Sequence, residues 1–152
     1  MQGREDLTEE SCPFCRIATG QASATMLYED KAISSFLDNQ PATLGHTLVV
    51  PRIHAKSIVE LGSNVAGQLL VIGRHVLRAL RASGLRCEGV TLALADGEAA
   101  GQTIGHVHLH VVPRYVGDGF VVKSRKLDVP ADQMESTARK IRSGIRASSA
   151  NV

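Results

Sequence analysis

Gly105-His-Val-His-Leu-His-Val-Val112 places three of the chain's six histidines at alternate positions. Side chains of a β-strand alternate between faces, so this spacing predicts a strand with His106, His108 and His110 on one side and Val107, Leu109 and Val111 on the other. The apolar side calls for a packed layer of helix beneath it, and the imidazole side must line something polar. Three uses of such a face compete. A solvated surface strand with incidental histidines explains neither the strict alternation nor the Gly-rich loop just before it. A single metal held by all three meets a geometric obstacle, because a rise of ~3.3 Å per residue sets His106 and His110 about 13 Å apart, whereas zinc wants each nitrogen within ~2.1 Å. Nucleophilic chemistry fits best. Neutral imidazole, with an ordinary pKa of ~6.5, is a competent nucleophile near neutrality, provided an acceptor holds its other nitrogen and fixes the tautomer. Phosphorus is the expected target, since Gln102, the Thr103 hydroxyl and backbone N–H groups near Gly101 can meet charge on phosphoryl oxygens.

Working outward, Thr25–Glu29 and Ala32–Leu37 read as a hairpin around Asp30-Lys31. His46–Val50 reads as a third strand stopped by Pro51, and Gly89–Ala95 as a fourth. The histidine stretch, Gly105–Val112, is the fifth, ended by Pro113. Ser57-Ile-Val-Glu60 has capping-box spacing. Ser63 to Ser83 carries the longest helical pattern, with Val65, Leu69, Ile72, Val76 and Leu80 on one stripe, Leu70 and Leu77 widening it, and Gly84 as its stop. Such a wide apolar face suggests contact with both a sheet and a second subunit. Met134, Ala138, Ile141 and Ile145 form a stripe on a C-terminal helix that starts near Pro130. Consecutive strands with separate helices predict an α+β fold, with about five antiparallel strands, one long central helix and a C-terminal helix.

The composition sets limits. The chain has 152 residues, 43% of them hydrophobic and 21% charged, enough for one domain with a core of its own. We expect a flexible tail over residues 1–11 and a single domain over 12–152 with a helical extension at its end. A net charge of +2, from 17 basic and 15 acidic residues, argues against a nucleic-acid binder. Aromatics at 3% leave no row of stacking rings for bases. The absence of a long apolar run argues against a membrane partner, and the polar start, MQGREDLTEE, points to a cytoplasmic protein.

Three cysteines make an odd count, and two of them form Cys12-Pro-Phe-Cys15. In a reducing compartment this spacing suits a tetrahedral zinc, a redox pair or plain thiols. The polar residues Glu5 to Ser11 and the lack of a βαβ pattern weigh against the redox pair. Cys87 reads as a small core hydrophobe.

The ordered set of motifs resembles the histidine triad (HIT) family. It comprises Tyr28-Glu-Asp30, Phe36-Leu-Asp38, Gly45-His-Thr-Leu-Val-Val-Pro51 and Ala100-Gly-Gln-Thr-Ile-Gly-His-Val-His-Leu-His-Val-Val-Pro-Arg114. The likeness runs from Cys12 to about Phe120. Cys-x-x-Cys near the start, then Pro-Arg-Tyr and Gly-Asp-Gly-Phe120, resemble its bacterial zinc-containing branch, with nucleoside phosphoramidase-like and dinucleoside polyphosphate hydrolase-like members. The resemblance implies a homodimer acting at the α-phosphorus of a purine nucleotide conjugate. It implies His108 as the nucleophile of a nucleotidyl-histidine intermediate, with His110 and His46 beside it. It further implies Gln102 and Thr103 on the phosphate, Asp38 on the ribose, Phe36 and Asn39 at the nucleoside, and a structural zinc on Cys12, Cys15, His54 and His106. The chain departs from the family at Ala95, where asparagine is usual, and at Gly105, which replaces a larger, often aromatic residue. Ala95 keeps a second function in play, a nucleotide-binding regulator with little catalysis. A His-metal hydrolase is a third.

Overall fold

The computed structural model describes residues 9–121 and 126–149. Of the tail expected over residues 1–11, only 9–11 are described, as a turn. The chain divides into two compact units, Met1–Phe120 and Val121–Val152. Among the described residues of the second, α3 (Ala131–Ser149) is the regular element, on the stripe that the sequence predicts. No described helix is long and apolar enough to cross a membrane.

The first unit is built on a five-stranded antiparallel sheet in the order β1-β2-β3-β5-β4, comprising β1 (Met26–Glu29), β2 (Ile33–Leu37), β3 (Thr47–Pro51), β4 (Gly89–Ala93) and β5 (Leu109–Arg114). Among its described residues are two α-helices, α1 (Pro13–Ala18) and the long α2 (Ser63–Ala82). Alternation along β3 and β5 divides the interior. Val49, Leu109 and Val111 join Leu69, Ile72, Val76 and Leu80 of α2 in one cluster, whereas Leu48 and Val50 join Phe36 and, from the α1 segment, Cys12, Phe14 and Cys15 in another. Each fully buried aliphatic side chain contributes about 1.5–3 kcal/mol. Gly73 lets α2 lie close on β5, since a Cβ there would stand 2.7 Å from Leu109 Cδ2.

The predicted apolar face of the histidine stretch, Val107, Leu109 and Val111, is buried in the α2 cluster. The strand itself is shorter at its start and longer at its end than the alternation predicts. It begins only at Leu109, because residues 105–108 take their bonds elsewhere: the His106 amide donates to Ile104 C=O at 2.8 Å and the Val107 amide to Ala55 C=O at 2.8 Å. It continues through Pro113 to Arg114. β3 pairs with β5 only from Val111 back to Leu109, and Pro113 C=O faces Thr43, accepting its hydroxyl at 2.6 Å. The missing proline N–H therefore costs no ladder bond.

Candidate active site and metal centre

Three backbone groups decide what four histidines of this region can do, the fourth ring taking its state from the third. A carbonyl only accepts and an amide N–H only donates, so the ring nitrogen facing either has its protonation fixed in the neutral imidazole. His108 Nδ1 lies 2.7 Å from His106 C=O. It carries the proton, and Nε2 keeps a lone pair. His106 Nε2 donates to Pro51 C=O at 2.9 Å, which leaves Nδ1 as the lone-pair nitrogen. His46 Nδ1 accepts from the Ala42 amide at 3.1 Å, so its proton sits on Nε2. That proton points at His110 Nδ1, 2.9 Å away, and consequently His110 carries its own proton on Nε2. The sequence places His106, His108 and His110 on one face. The structure keeps His108 and His110 together, ring centroids 4.8 Å apart, and brings His46 against His110 at 5.1 Å.

Burial reinforces these assignments. It pushes His110 down to about 4, helped by His108 and His46 and opposed by Asp38. His46 is lowered by burial, again against Asp38 and with His108 adding to the fall. Both rings are therefore neutral near pH 7.

His106 Nδ1 faces two sulfurs, Cys12 Sγ and Cys15 Sγ, each at 3.4 Å. His54 Nδ1 stands 3.3 Å from Cys15 Sγ, and His54 Nε2 is buried without a protein partner among the described residues. One ligand atom from each of the four residues lies within 4.8 Å of the others. A tetrahedral zinc with ~2.3 Å sulfur and ~2.0–2.1 Å nitrogen bonds spaces its ligands roughly 3.5 Å apart. Burial pushes the Cys15 thiol up to about 12, with Cys12 and the Glu9 carboxylate adding to the rise. A thiolate there needs a cation beside it. The spacing of the four ligand atoms, the lone pair on His106 and the approach of His54 Nδ1 to Cys15 Sγ all fit a metal ion. Asp38, His46 and His110 form a second close group.

Beside these clusters lies a cavity of 560 Å³ whose lining includes Phe14, Ile17, Phe36, Asp38, Asn39 and Ile104. Phe36 is buried in its floor, and Asn39 is exposed at its edge. Asp38 Oδ1 accepts the Gln40 amide at 2.8 Å, holding the turn, while Oδ2 sits 3.6 Å from His46 Nε2. The Phe14 ring packs edge-on to His108 at 5.3 Å. Phe14, Ile17 and Ile104 were not singled out by the sequence. The available signal was their spacing, since residues 14 and 17 fall on one side of a helical turn once Pro13 is read as its first residue.

The loop before the histidines has a different wiring from the expected phosphate cradle. Gln102 is buried, its Oε1 accepting the Gly97 amide at 2.7 Å and its Nε2 donating to Lys56 C=O at 2.8 Å. Its carboxamide braces the loop, which turns through Gly97 and Gly101 at φ +91° and +92°. Asp96 is turned away from the histidines, accepting the Ser57 hydroxyl at 2.9 Å and the Ile58 amide at 2.8 Å, and so caps the short 3₁₀ turn Ile58–Glu60. Thr103 is exposed, its hydroxyl without a protein partner among the described residues.

The HIT domain family model matches residues 19–117. An uncharacterized HIT-like protein of Mycobacterium tuberculosis is 38% identical over 135 residues, 88% of this chain and 92% of that protein. Adenylylsulfatase HINT3 of Arabidopsis thaliana is 30% identical over 139 residues, 87% of this chain and 70% of that one. Among solved structures, a HIT family protein from Bacillus anthracis aligns with a TM-score of 0.81 at 34% identity, covering 90% of this chain and 99% of that one. A zinc-bound histidine triad family protein from Mycobacterium smegmatis aligns at 0.70 and 35% identity, with the same coverages. The chain belongs to the HIT family.

Proposed function

We propose that the protein cleaves or transfers at the α-phosphorus of a purine nucleotide conjugate, with His108 as nucleophile. The observation that carries this reading is the His108 tautomer. With Nδ1–H held by a backbone carbonyl, Nε2 keeps its lone pair, and Phe14, packed edge-on to that ring, lines a cavity of nucleoside size. In the first step Nε2 bonds to phosphorus as the bond to the leaving group breaks. His110, fixed as an Nε2–H donor by His46, supplies a proton to the phosphoryl or leaving-group side. Water or another acceptor then attacks phosphorus and releases His108. Asp38 and Asn39 hold the ribose edge, Phe36 meets the base, and Thr103 with nearby loop amides meets the phosphate. Gln102 acts here by holding that loop. The adenylylsulfatase relative is consistent with chemistry at a nucleotide phosphorus.

The Cys12, Cys15, His54 and His106 centre holds zinc in this reading. Closed by four protein ligands, the ion supplies a structural cross-link and activates no water. A second copy is the partner we expect, covering exposed Leu70 and Val71 of α2 and a 570 Å³ apolar cavity lined in part by Leu27, Leu44 and Leu85. A solution mass equal to one chain would end that expectation. Three free cysteines suit a reducing cytoplasm.

The test is turnover of a purine nucleoside phosphoramidate by the wild type and His108→Ala. The expected result is a loss of ~10³-fold or more with nucleotide binding retained. Equal turnover in the variant would defeat the mechanism. A second reading, nucleotide binding with little catalysis, draws on Ala95: its methyl offers no hydrogen bond, and Asp96 is committed to Ser57 and Ile58. Binding of a nucleoside monophosphate without phosphoramidate cleavage by the wild type would favour it.

A further inference from the structure

α1 is six residues long, and Cys12 at its N-cap makes no side-chain capping bond. Isolated helices shorter than about 12–15 residues are marginal in water, so this turn depends on what it touches. Its two sides touch different things. Cys12 and Cys15 face His106 and His54, whereas Phe14 and Ile17 line the 560 Å³ cavity. Both sets share one apolar cluster with Phe36, Leu48 and Val50. Phe14 also bridges the two regions directly, its ring edge-on to His106 at 5.8 Å and to His108 at 5.3 Å.

We propose that the metal centre and the nucleoside cavity are thermodynamically coupled through α1. This rests on the cavity being the nucleotide site. Ligation of Cys12 and Cys15 draws the helix onto His54 and His106, and that fixes Phe14 and Ile17 as the cavity wall. A nucleotide packed on this wall in turn holds the two thiolates in place. Coupling of this kind is reciprocal, each ligand raising the affinity of the other by the same factor. A purely structural staple would change stability and leave the affinity of folded molecules alone. A separate opening gives the metal its own exit. Cys15 and His54 line a 390 Å³ opening with Glu9, Glu10 and Arg52, and this opening shares no lining residue with the nucleoside cavity. Nucleotide can therefore retard the ion through α1 without plugging its path.

Two measurements test the coupling. The first is the Kd for a purine nucleoside monophosphate, by calorimetry, on zinc-loaded protein and on chelator-stripped protein checked for folding by circular dichroism. Binding about tenfold weaker without zinc is expected, within the usual 5–150-fold range of such couplings. The second starts from loaded protein and follows the rate and extent of zinc transfer to a chelating dye, with and without saturating nucleotide, while circular dichroism confirms that the chain stays folded. Nucleotide should raise the apparent zinc affinity by the same factor, and Phe14→Leu should diminish that effect while zinc is still bound. Equal nucleotide affinity with and without zinc, or zinc transfer indifferent to nucleotide, overturns the coupling. Failure of the zinc-loaded wild type to bind nucleotide overturns the reading of the cavity itself, a distinguishable result, and the coupling falls with it.

Discussion

Two groups of side chains in this molecule look alike by spacing: Cys12, Cys15, His54 and His106 on one side of Phe14, and Asp38, His46 and His110 beside the 560 Å³ cavity that Asp38 lines. Each brings three or more metal-capable residues within 4.8 Å of one another. What separates them is the partner of the second ring nitrogen. His106 gives its Nε2–H to Pro51 C=O and so offers a lone pair to the cluster, the arrangement expected of a metal ligand. His46 receives the Ala42 amide on Nδ1 and so offers a proton. A cation at His46 Nε2 would have to displace that proton and leave the other nitrogen facing a donor. One cluster collects lone pairs at a point, and the other passes hydrogen-bond polarity along to His110. A single backbone group thus decides between a metal centre and a proton-bearing site.

Paired substitutions break this comparison if it is wrong. The largest effect belongs to His106→Asn or Cys12→Ser, which should abolish bound zinc and lower Tm by roughly 10 °C or more, since structural zinc carries on the order of 10 kcal/mol of apparent binding energy in small domains. Metal analysis and thermal unfolding measure both. The matching change in the other cluster, His46→Phe, should leave zinc content intact and lower kcat about 10–100-fold, by removing the donor that sets the His110 tautomer. Loss of zinc in His46→Phe would erase the distinction.

Acid sharpens it further. His110, held at about 4 against ~6.5 when unfolded, binds fewer protons folded than unfolded between those values. Its contribution to stability is complete above pH 6.5 and is lost as pH falls toward 4. Urea midpoints across that window should fall less steeply in His110→Asn than in the wild type. The smallest effect is expected from Asp96→Ala, about 1 kcal/mol of stability through loss of the cap on Ile58–Glu60, with zinc retained.

The strands, α2, α3 and the inward face of Val107, Leu109 and Val111 were legible because each repeats a pattern over several residues. So were the candidate site residues His108 and His110 and the candidate ligand pair Cys12 and Cys15, whose spacing is their message. α1 was not, since six residues carry less than two turns of periodicity, and Phe14 was hidden between two more conspicuous cysteines. The late start of β5 was equally out of reach: whether Val107 finds a strand or Ala55 C=O depends on a segment fifty residues away. Gln102 and Asp96 teach the same point. A carboxamide suits a phosphate loop and a carboxylate repels the anion, but the bonds that commit both side chains to Lys56, Ser57 and Ile58 come from a long-range contact that no local motif announces.

Long-range proton–nitrogen correlation spectra of the zinc-loaded protein, with ¹⁵N in the histidine rings, read every one of these tautomers at once. The account predicts Nδ1–H for His108, Nε2–H for His46 and His110, and a metal-shifted Nδ1 on His106. An Nε2–H form of His108, or a metal-shifted nitrogen on His46, would contradict it.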